Sequence, residues 1–314
     1  MTAPCITVVI PTMGKRPERL AAALSAIAAQ DLPDARLEVV IGCDPGTAVP
    51  PSPGGLAVRV VEAPSRVSAA AKRNLAWPAA RAPLVAFTDD DCRPDAGWAA
   101  ALVAAAEPRP DAFLQGRTEP DPAEARDLWG FAHTQWIARD SPWHETCNIA
   151  YPRDLLQRLG GFDEGYGPLG GEDTDLGVRA LGTGAPKVYE ESALVWHAVE
   201  QRSFRQAIRE AFRTRDQPQV LARFPHLRRE LIWRVFYRRG HGLLLLALGG
   251  AITRRPGLGA LAAIPYIEWH LRHHRLTAMS VARATTHLPV RAVVDAVETC
   301  VVAWRGLRRG VIAL

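Results

Sequence analysis

Over the first 120 residues, short β-branched apolar runs alternate with alanine-rich stretches. Cys5–Pro11 (CITVVIP) has the unbroken apolar character of a strand buried on both faces. Pro17, a residue favoured in the first helical turn, opens a helix predicted to run to about Gln30. Leu37–Asp44 (LEVVIGCD) predicts a second strand, Pro45–Gly55 an exposed Pro/Gly-rich loop, and Leu56–Ala63 a third strand. A helix over Ser65–Trp77, a strand over Leu84–Thr88 and a helix over Pro94–Glu107 follow. This alternation predicts an α/β fold, a mostly parallel sheet flanked by helices. Ligands of such sheets bind at the carboxyl ends of the strands, which directs attention to the ends of the first, second and fourth.

The alternation breaks at about residue 121. An aromatic stretch with Trp129, Phe131, Trp136 and Trp143 leads to glycine-rich turns around Gly160–Gly171, a helix starting near Glu172, and a strand over Ser192–Trp196 that ends on His197. Beyond residue 200 the pattern is helical. Ser203 with Gln206 reads as a capping box, and Phe204, Ile208, Ala211 and Phe212 mark one face. The apolar runs Gly242–Thr253 and Gly257–Ile267 are each shorter than the roughly 20 residues a bilayer span needs. Val290, Val293, Val294, Val297, Val301 and Trp304 form a last stripe, followed by Arg305, Arg308 and Arg309.

Charge divides the chain at the same place. Of its 314 residues, 201–314 carry 20 Arg against 6 acidic side chains, which leaves 18 basic and 27 acidic in 1–200. A basic amphipathic helical region fits an anionic membrane surface, and equally a core, a dimer contact or solvated helix faces. It lacks the interleaved exposed aromatics of a nucleic-acid surface, so no nucleic-acid partner is expected. The 48% hydrophobic content excludes a disordered chain. Five scattered cysteines without a CxxC pair argue against disulfides or a zinc site. With no secretory pattern at the N-terminus, the expectation is cytoplasmic, or peripheral on the cytoplasmic face of a membrane.

Two acidic clusters are candidates for chemistry. Asp89, Asp90 and Asp91 follow an apolar strand directly, where their repulsion calls for a cation or for ligand donors. Hard cations such as Mg²⁺ or Mn²⁺ take carboxylates and bridge to phosphates. An acidic turn capping the helix from Pro94 accounts for them equally well. Glu172, Asp173 and Asp175 enter a helix, as caps or as a general base. Arg73 and Asn74 offer phosphate-compatible donors or a plain surface position. Gly165–Gly170 matches GxGxxG, but no strand precedes it, so the match is rejected.

The order of these signals resembles the family 2 glycosyltransferases, which have the nucleotide-sugar-binding fold called GT-A. The resemblance runs from Ile6 to His197 through VVIPT (Val8–Thr12), AAAKRN (Ala69–Asn74), FTDDD (Phe87–Asp91), CNIAYPRDLLQRLGGFDE (Cys147–Glu164), GEDTDLGVR (Gly171–Arg179) and VWH (Val195–His197). It implies a catalytic domain over 1–200, with a donor half to about 120 and an acceptor half to about 200. A helical region over 201–314 is then a candidate for membrane association. Carried over residue by residue, Pro11, Thr12, Asp44, Arg73, Asn74, Asp89 and Asp90 match donor nucleotide positions. Asp91 and His197 match metal positions. Asp173, with Glu172 beside it, matches the catalytic base, and Asn148, Gly161 and Asp163 match the acceptor side. Cys43 stands before Asp44 where many relatives carry a second aspartate.

The implied activity is metal-dependent (Mn²⁺ or Mg²⁺), inverting transfer from a nucleoside diphosphate sugar to an acceptor hydroxyl. That acceptor is a sugar or a lipid-linked, cell-envelope glycan. The alternatives are a silent binding or scaffold protein of the same fold at the membrane, against which the retained Asp89, Asp91 and Asp173 speak, and a nucleotidyltransferase, which would call for more glycine after the first strand than Gly14 alone. Oligomeric state is left open.

Overall fold

A computed structural model describes residues 4–32, 36–125, 130–167, 170–271 and 278–314, with the side chains of 278–285 excepted. Trp129 and the Pro168–Leu169 part of the GxGxxG match lie outside the described residues. The chain separates into two compact units, one formed by residues up to 128 with 133–200, the other by 129–132 with 201–314.

In the first unit, β1 (Ile6–Thr12), β2 (Leu37–Cys43), β3 (Ala57–Glu62) and β4 (Leu84–Phe87) follow the predicted strands. β5 (Cys92–Pro94), β6 (Phe113–Pro120), β7 (Ile149–Pro152) and β8 (Lys187–His197) complete one eight-stranded sheet in the order β3-β2-β1-β4-β7-β6-β8-β5. The sheet is mixed: β3 to β4 run parallel, β7 is antiparallel to β4 and β6, and β8 runs parallel to β6 but antiparallel to β5.

Alternate side chains of β1 explain the layers. Ile6, Val8 and Ile10 face α1 (Pro17–Ala28) and α3 (Trp98–Ala106), which contribute Leu20, Leu24, Trp98 and Leu102. Val9 joins the opposite face, covered by α2 (Ala69–Ala76), α4 (Arg153–Leu159) and α5 (Glu172–Gly182) through Ala70, Leu155 and Leu176. A strand covered on both faces needs the unbroken apolar run that β1 has.

Two helix starts differ from expectation. α2 begins at Ala69, because Ser68 caps it by accepting from the Ala71 N–H at 3.2 Å. The helix expected from Pro94 begins at Trp98 instead, and Cys92–Pro94 is β5, paired to β8 at the sheet edge. Proline, lacking an N–H, is tolerated at such an edge. Asp89–Asp91 therefore lead into a strand and cap no helix.

The second unit contains α6 (Phe204–Arg213), α7 (Pro218–Arg223), α8 (Arg239–Ile252), α9 (Pro256–Leu271) and α10 (Ala278–Arg308). The Ser203–Gln206 capping box is present. The buried face of α6 centres on Ala207 and Ala211, packed with Phe131 and Val294, whereas Phe204 and Phe212 stay exposed. Small residues let α8 and α9 approach closely: a Cβ added at Gly250 would lie 2.4 Å from that of Ala262. Among the described residues, no helix is long and apolar enough to cross a membrane.

Candidate active site

Strand ends gather the acidic residues. Pro11 and Thr12 close β1, Asp44 follows β2, and Asp89–Asp91 follow β4. The Thr12 hydroxyl donates to Asp90 Oδ2 at 2.6 Å. Burial pushes the Asp90 carboxyl above its ordinary value, against the opposing pull of Arg16 and Thr12. Asp44 Oδ1 lies 2.8 Å from the Lys72 ammonium and accepts from the Val67 N–H at 3.3 Å. Burial opposes that charge, but Lys72 and Val67 outweigh it and hold the Asp44 carboxyl below its ordinary value.

Antiparallel pairing of β5 with β8 sets Cys92 opposite His197, which brings His197 Nε2 to 3.7 Å from Asp91 Oδ1. His197 Nδ1 lies 2.8 Å from the Ala198 carbonyl, so in the neutral ring Nδ1 donates there and Nε2 presents a lone pair toward Asp91. Two acceptors facing each other are reconciled by a cation between them, and an Nδ1–H fixed by a backbone carbonyl is the usual support of a ligating histidine. Asp91, Cys92 and His197 have donor atoms close enough to hold a metal ion. Burial, reinforced by Asp91, pushes the Cys92 thiol well above its ordinary value. A thiol is also a soft donor poorly matched to hard cations such as Mn²⁺ and Mg²⁺, which leaves Asp91 and His197 as the donors that fit.

A second group, His241, Asp295 and Glu298, lies buried in the helical unit. Its carboxylates already meet cations, Asp295 with Arg291 at 2.8 Å and Glu298 with Arg238 at 3.3 Å, so its charge is balanced internally.

Arg73 joins the two acidic motifs. It is only 4% exposed, and its guanidinium reaches Asp89 Oδ1 at 2.9 Å and Glu172 Oε1 at 3.3 Å while lying over the Phe162 ring. A surface position for Arg73 is thereby excluded. Glu172 and Asp173 open α5 after Gly171, whose φ of 114° turns the chain into the helix. Glu172 Oε2 is buried without a hydrogen bond. Burial first, then the neighbouring Glu172 carboxylate, push the Asp173 carboxyl well above the ordinary carboxylate range. Asp175 has a different setting: fully buried, it accepts from Arg179 and Tyr166 inside the fold.

Other expected residues brace the turn after α4 and the sheet interior. Both atoms of the Asn74 amide are used by one turn: Nδ2 donates to the Phe162 carbonyl and Glu164, and Oδ1 accepts from the Phe162 N–H, each at 2.8 Å. Gly161, in that turn, packs so tightly on α2 that a Cβ would meet Asn74 Oδ1 at 2.5 Å. Asp163 Oδ1 accepts from the Gly165 N–H at 2.9 Å. Asn148 is 0% exposed: it accepts from Trp98 Nε1 and donates to the carbonyls of Arg117 and Ala193, so its amide is turned into the sheet and cannot touch a ligand directly.

Lys72 and Arg16 were not among the expected site residues. Lys72 stands within the AAAKRN stretch, but only the crossing of α2 over β2 brings it to Asp44. Arg16 reaches Asp90 and Asp91 from the turn after β1. Its one sequence signal is its place just before Pro17, beside a strand's carboxyl end.

A profile of the family described as "Glycosyltransferase like family 2" matches residues 3–216. Over 106 residues the chain is 29% identical to validoxylamine A glucosyltransferase of Streptomyces hygroscopicus subsp. jinggangensis, a match that spans 34% of this chain and 24% of that relative. Among solved structures, the mannosyltransferase PcManGT from Pyrobaculum calidifontis, in complex with GDP-Man and Mn²⁺, superposes with a TM-score of 0.56 at 20% identity, covering 98% of this chain and 88% of its own. TarS of S. aureus in complex with UDP-GlcNAc gives 0.54 at 16% identity, covering 98% and 92%. At these identities the likeness establishes the GT-A fold.

Proposed function

The chain belongs to the glycosyltransferase family 2-like proteins, and from that premise we propose that it transfers a sugar from a nucleoside diphosphate sugar to an acceptor hydroxyl with inversion. The observation that carries this reading is the convergence, at the sheet's carboxyl edge, of Asp91 and His197 with the Glu172–Asp173 pair, which Arg73 ties to Asp89. The donor complexes of PcManGT and TarS agree with it.

Residues 1–200 act as the catalytic domain. Pro11, Thr12 and Asp44 receive the nucleoside at the ends of β1 and β2, while Asp89 and Asp90 border its ribose. Arg73 keeps Asp89 and Glu172 in register, and Asn74 acts indirectly through the turn it holds. A divalent cation, Mn²⁺ or Mg²⁺, held by Asp91 and His197 would neutralise charge on the departing diphosphate. Asp173 takes the proton of the acceptor hydroxyl as its oxygen attacks the anomeric carbon and the bond to the diphosphate breaks. A carboxylate raised above its ordinary range is better matched to that task than an unperturbed one. Gly161 and Asp163 shape the acceptor side, and Asn148 supports it from within the sheet. The acceptor is a sugar or a lipid-linked glycan, and residues 201–314 bring the domain to an anionic membrane surface.

The test is calorimetric titration of UDP, GDP and dTDP, each with and without Mn²⁺, on the wild type and on Asp91→Asn. Tight binding of one nucleotide that needs both Mn²⁺ and Asp91 is expected. Binding indifferent to both would favour a silent protein of the same fold.

A further inference from the structure

Arg16 belongs to none of the motifs that carry the family resemblance. It occupies the N-cap position of α1 yet makes no capping bond with its side chain. The side chain lies instead over the β4 end, Nη1 at 2.5 Å from Asp91 Oδ2 and Nη2 at 2.7 Å from Asp90 Oδ1. One guanidinium thus bridges two adjacent carboxylates that repel each other. Asp90 is pinned on its far side by Thr12, so its position is set by the fold. Asp91 turns its other oxygen toward His197, the arrangement that fits a cation.

Two cations cannot share Asp91 comfortably. A divalent ion between Asp91 Oδ1 and His197 Nε2 repels a guanidinium on Oδ2 of the same carboxylate. That guanidinium is 34% exposed on a long side chain, so solvent borders it on the side away from the carboxylates. Its planar fork suits phosphate oxygens as well as carboxylates, and a diphosphate bound beside the metal places such oxygens within its reach.

We propose that Arg16 is the counter-ion of Asp90 and Asp91 before the donor binds, displaced from Asp91 by the divalent cation and recaptured by the diphosphate. Metal alone then binds weakly, because it must evict Arg16, and the nucleotide repays that eviction by giving the guanidinium a new partner. The two ligands are thereby coupled through one side chain. This inference rests on the donor-site reading above.

The experiment titrates Mn²⁺ alone, followed by electron paramagnetic resonance of the free ion. It also titrates UDP, GDP and dTDP calorimetrically with and without Mn²⁺, on wild type, Arg16→Ala and Arg16→Lys, with thermal melts of each. The expected pattern is crossed. Arg16→Ala binds Mn²⁺ alone about tenfold more tightly and the preferred nucleotide with Mn²⁺ about tenfold more weakly, so the coupling shrinks within the range usual for linked sites. Arg16→Lys keeps the positive charge but loses the fork, so nucleotide affinity falls with little change in Mn²⁺ affinity. Unchanged or weaker Mn²⁺ binding by Arg16→Ala overturns the proposal and leaves Arg16 a structural ion pair. If Arg16→Ala does not fold, Arg16→Lys decides, and unchanged nucleotide affinity there overturns it. A wild type that binds no nucleotide with Mn²⁺ sinks the donor-site reading and this inference together, whereas wild-type binding with indifferent variants sinks this inference alone.

Discussion

At the scale of single residues, Asp173 is held in a state that costs stability. Burial and the adjacent Glu172 raise its pKa, so the folded protein holds that proton more tightly than the unfolded chain does. Stability from such a group is present below the unfolded value and lost as pH rises through the folded one. At pH 7, well above the unfolded value, the raised pKa is therefore a liability, as the settings of functional carboxylates often are. Asp173→Asn removes it, and the expected result is a melting midpoint a few degrees above wild type at pH 7, with the gap closing toward pH 4. In the same variant transfer should fall by at least about a thousandfold while nucleotide binding stays within about threefold, the split that the proposed role of Asp173 as base toward the acceptor requires. For the wild type, a base with a raised pKa places the acid limb of kcat/KM above the ordinary aspartate value, and activity rises with pH through it. Equal loss of donor affinity in Asp173→Asn and Asp91→Asn would count against the role of Asp173.

At the scale of elements, the turn after α4 is locked from both sides. Asn74 on α2 holds it at Phe162, and Arg179 on α5 donates to the carbonyls of Leu159 and Gly161 at 2.8 and 2.7 Å. Gly161 combines a φ of 73° with contact against Asn74 and Trp77. Gly161→Ala should accordingly cost about 1–3 kcal/mol by backbone strain and displaced side chains, read as a lower urea midpoint with unchanged slope. A shift under a few tenths of a kcal/mol would mean the turn yields easily.

The sequence patterning that revealed this framework is unequal along the chain. β1, β2 and β4 are covered on both faces, so their apolar runs stand out against the turns. β5 is three residues long, and Pro94 made it look like a helix start, because its strand character comes only from pairing with β8, about a hundred residues away. The site divides in the same way. Asp89–Asp91 and Glu172–Asp173 were visible as clusters at element ends. The roles of Arg16, Lys72 and Asn74 depend on what lies across the fold, which local spacing does not encode.

At the scale of the whole molecule, charge and exposed apolar surface coincide in residues 201–314. The turn between α8 and α9 carries Arg254 and Arg255. Around it, Ile252 is 79% and Leu261 is 64% exposed, with Leu258 and Ile264 about half exposed. Isolated exposed apolar side chains need no explanation, but four along one helical hairpin flanking two arginines have the composition of an interfacial membrane element. Apolar insertion and attraction to anionic headgroups would act together there, each basic residue near the surface adding about 1 kcal/mol. The full chain should therefore float with phosphatidylglycerol vesicles, far less with phosphatidylcholine, and progressively less as salt screens the arginines. Ile252→Ser with Leu261→Ser should reduce flotation several-fold on phosphatidylglycerol without altering nucleotide affinity, since neither residue belongs to the donor site. Flotation that ignores lipid charge would remove the arginines from the account. If flotation is absent and sedimentation shows a dimer that the double substitution dissolves, the same apolar row is a subunit contact, and the proposed membrane role of residues 201–314 falls.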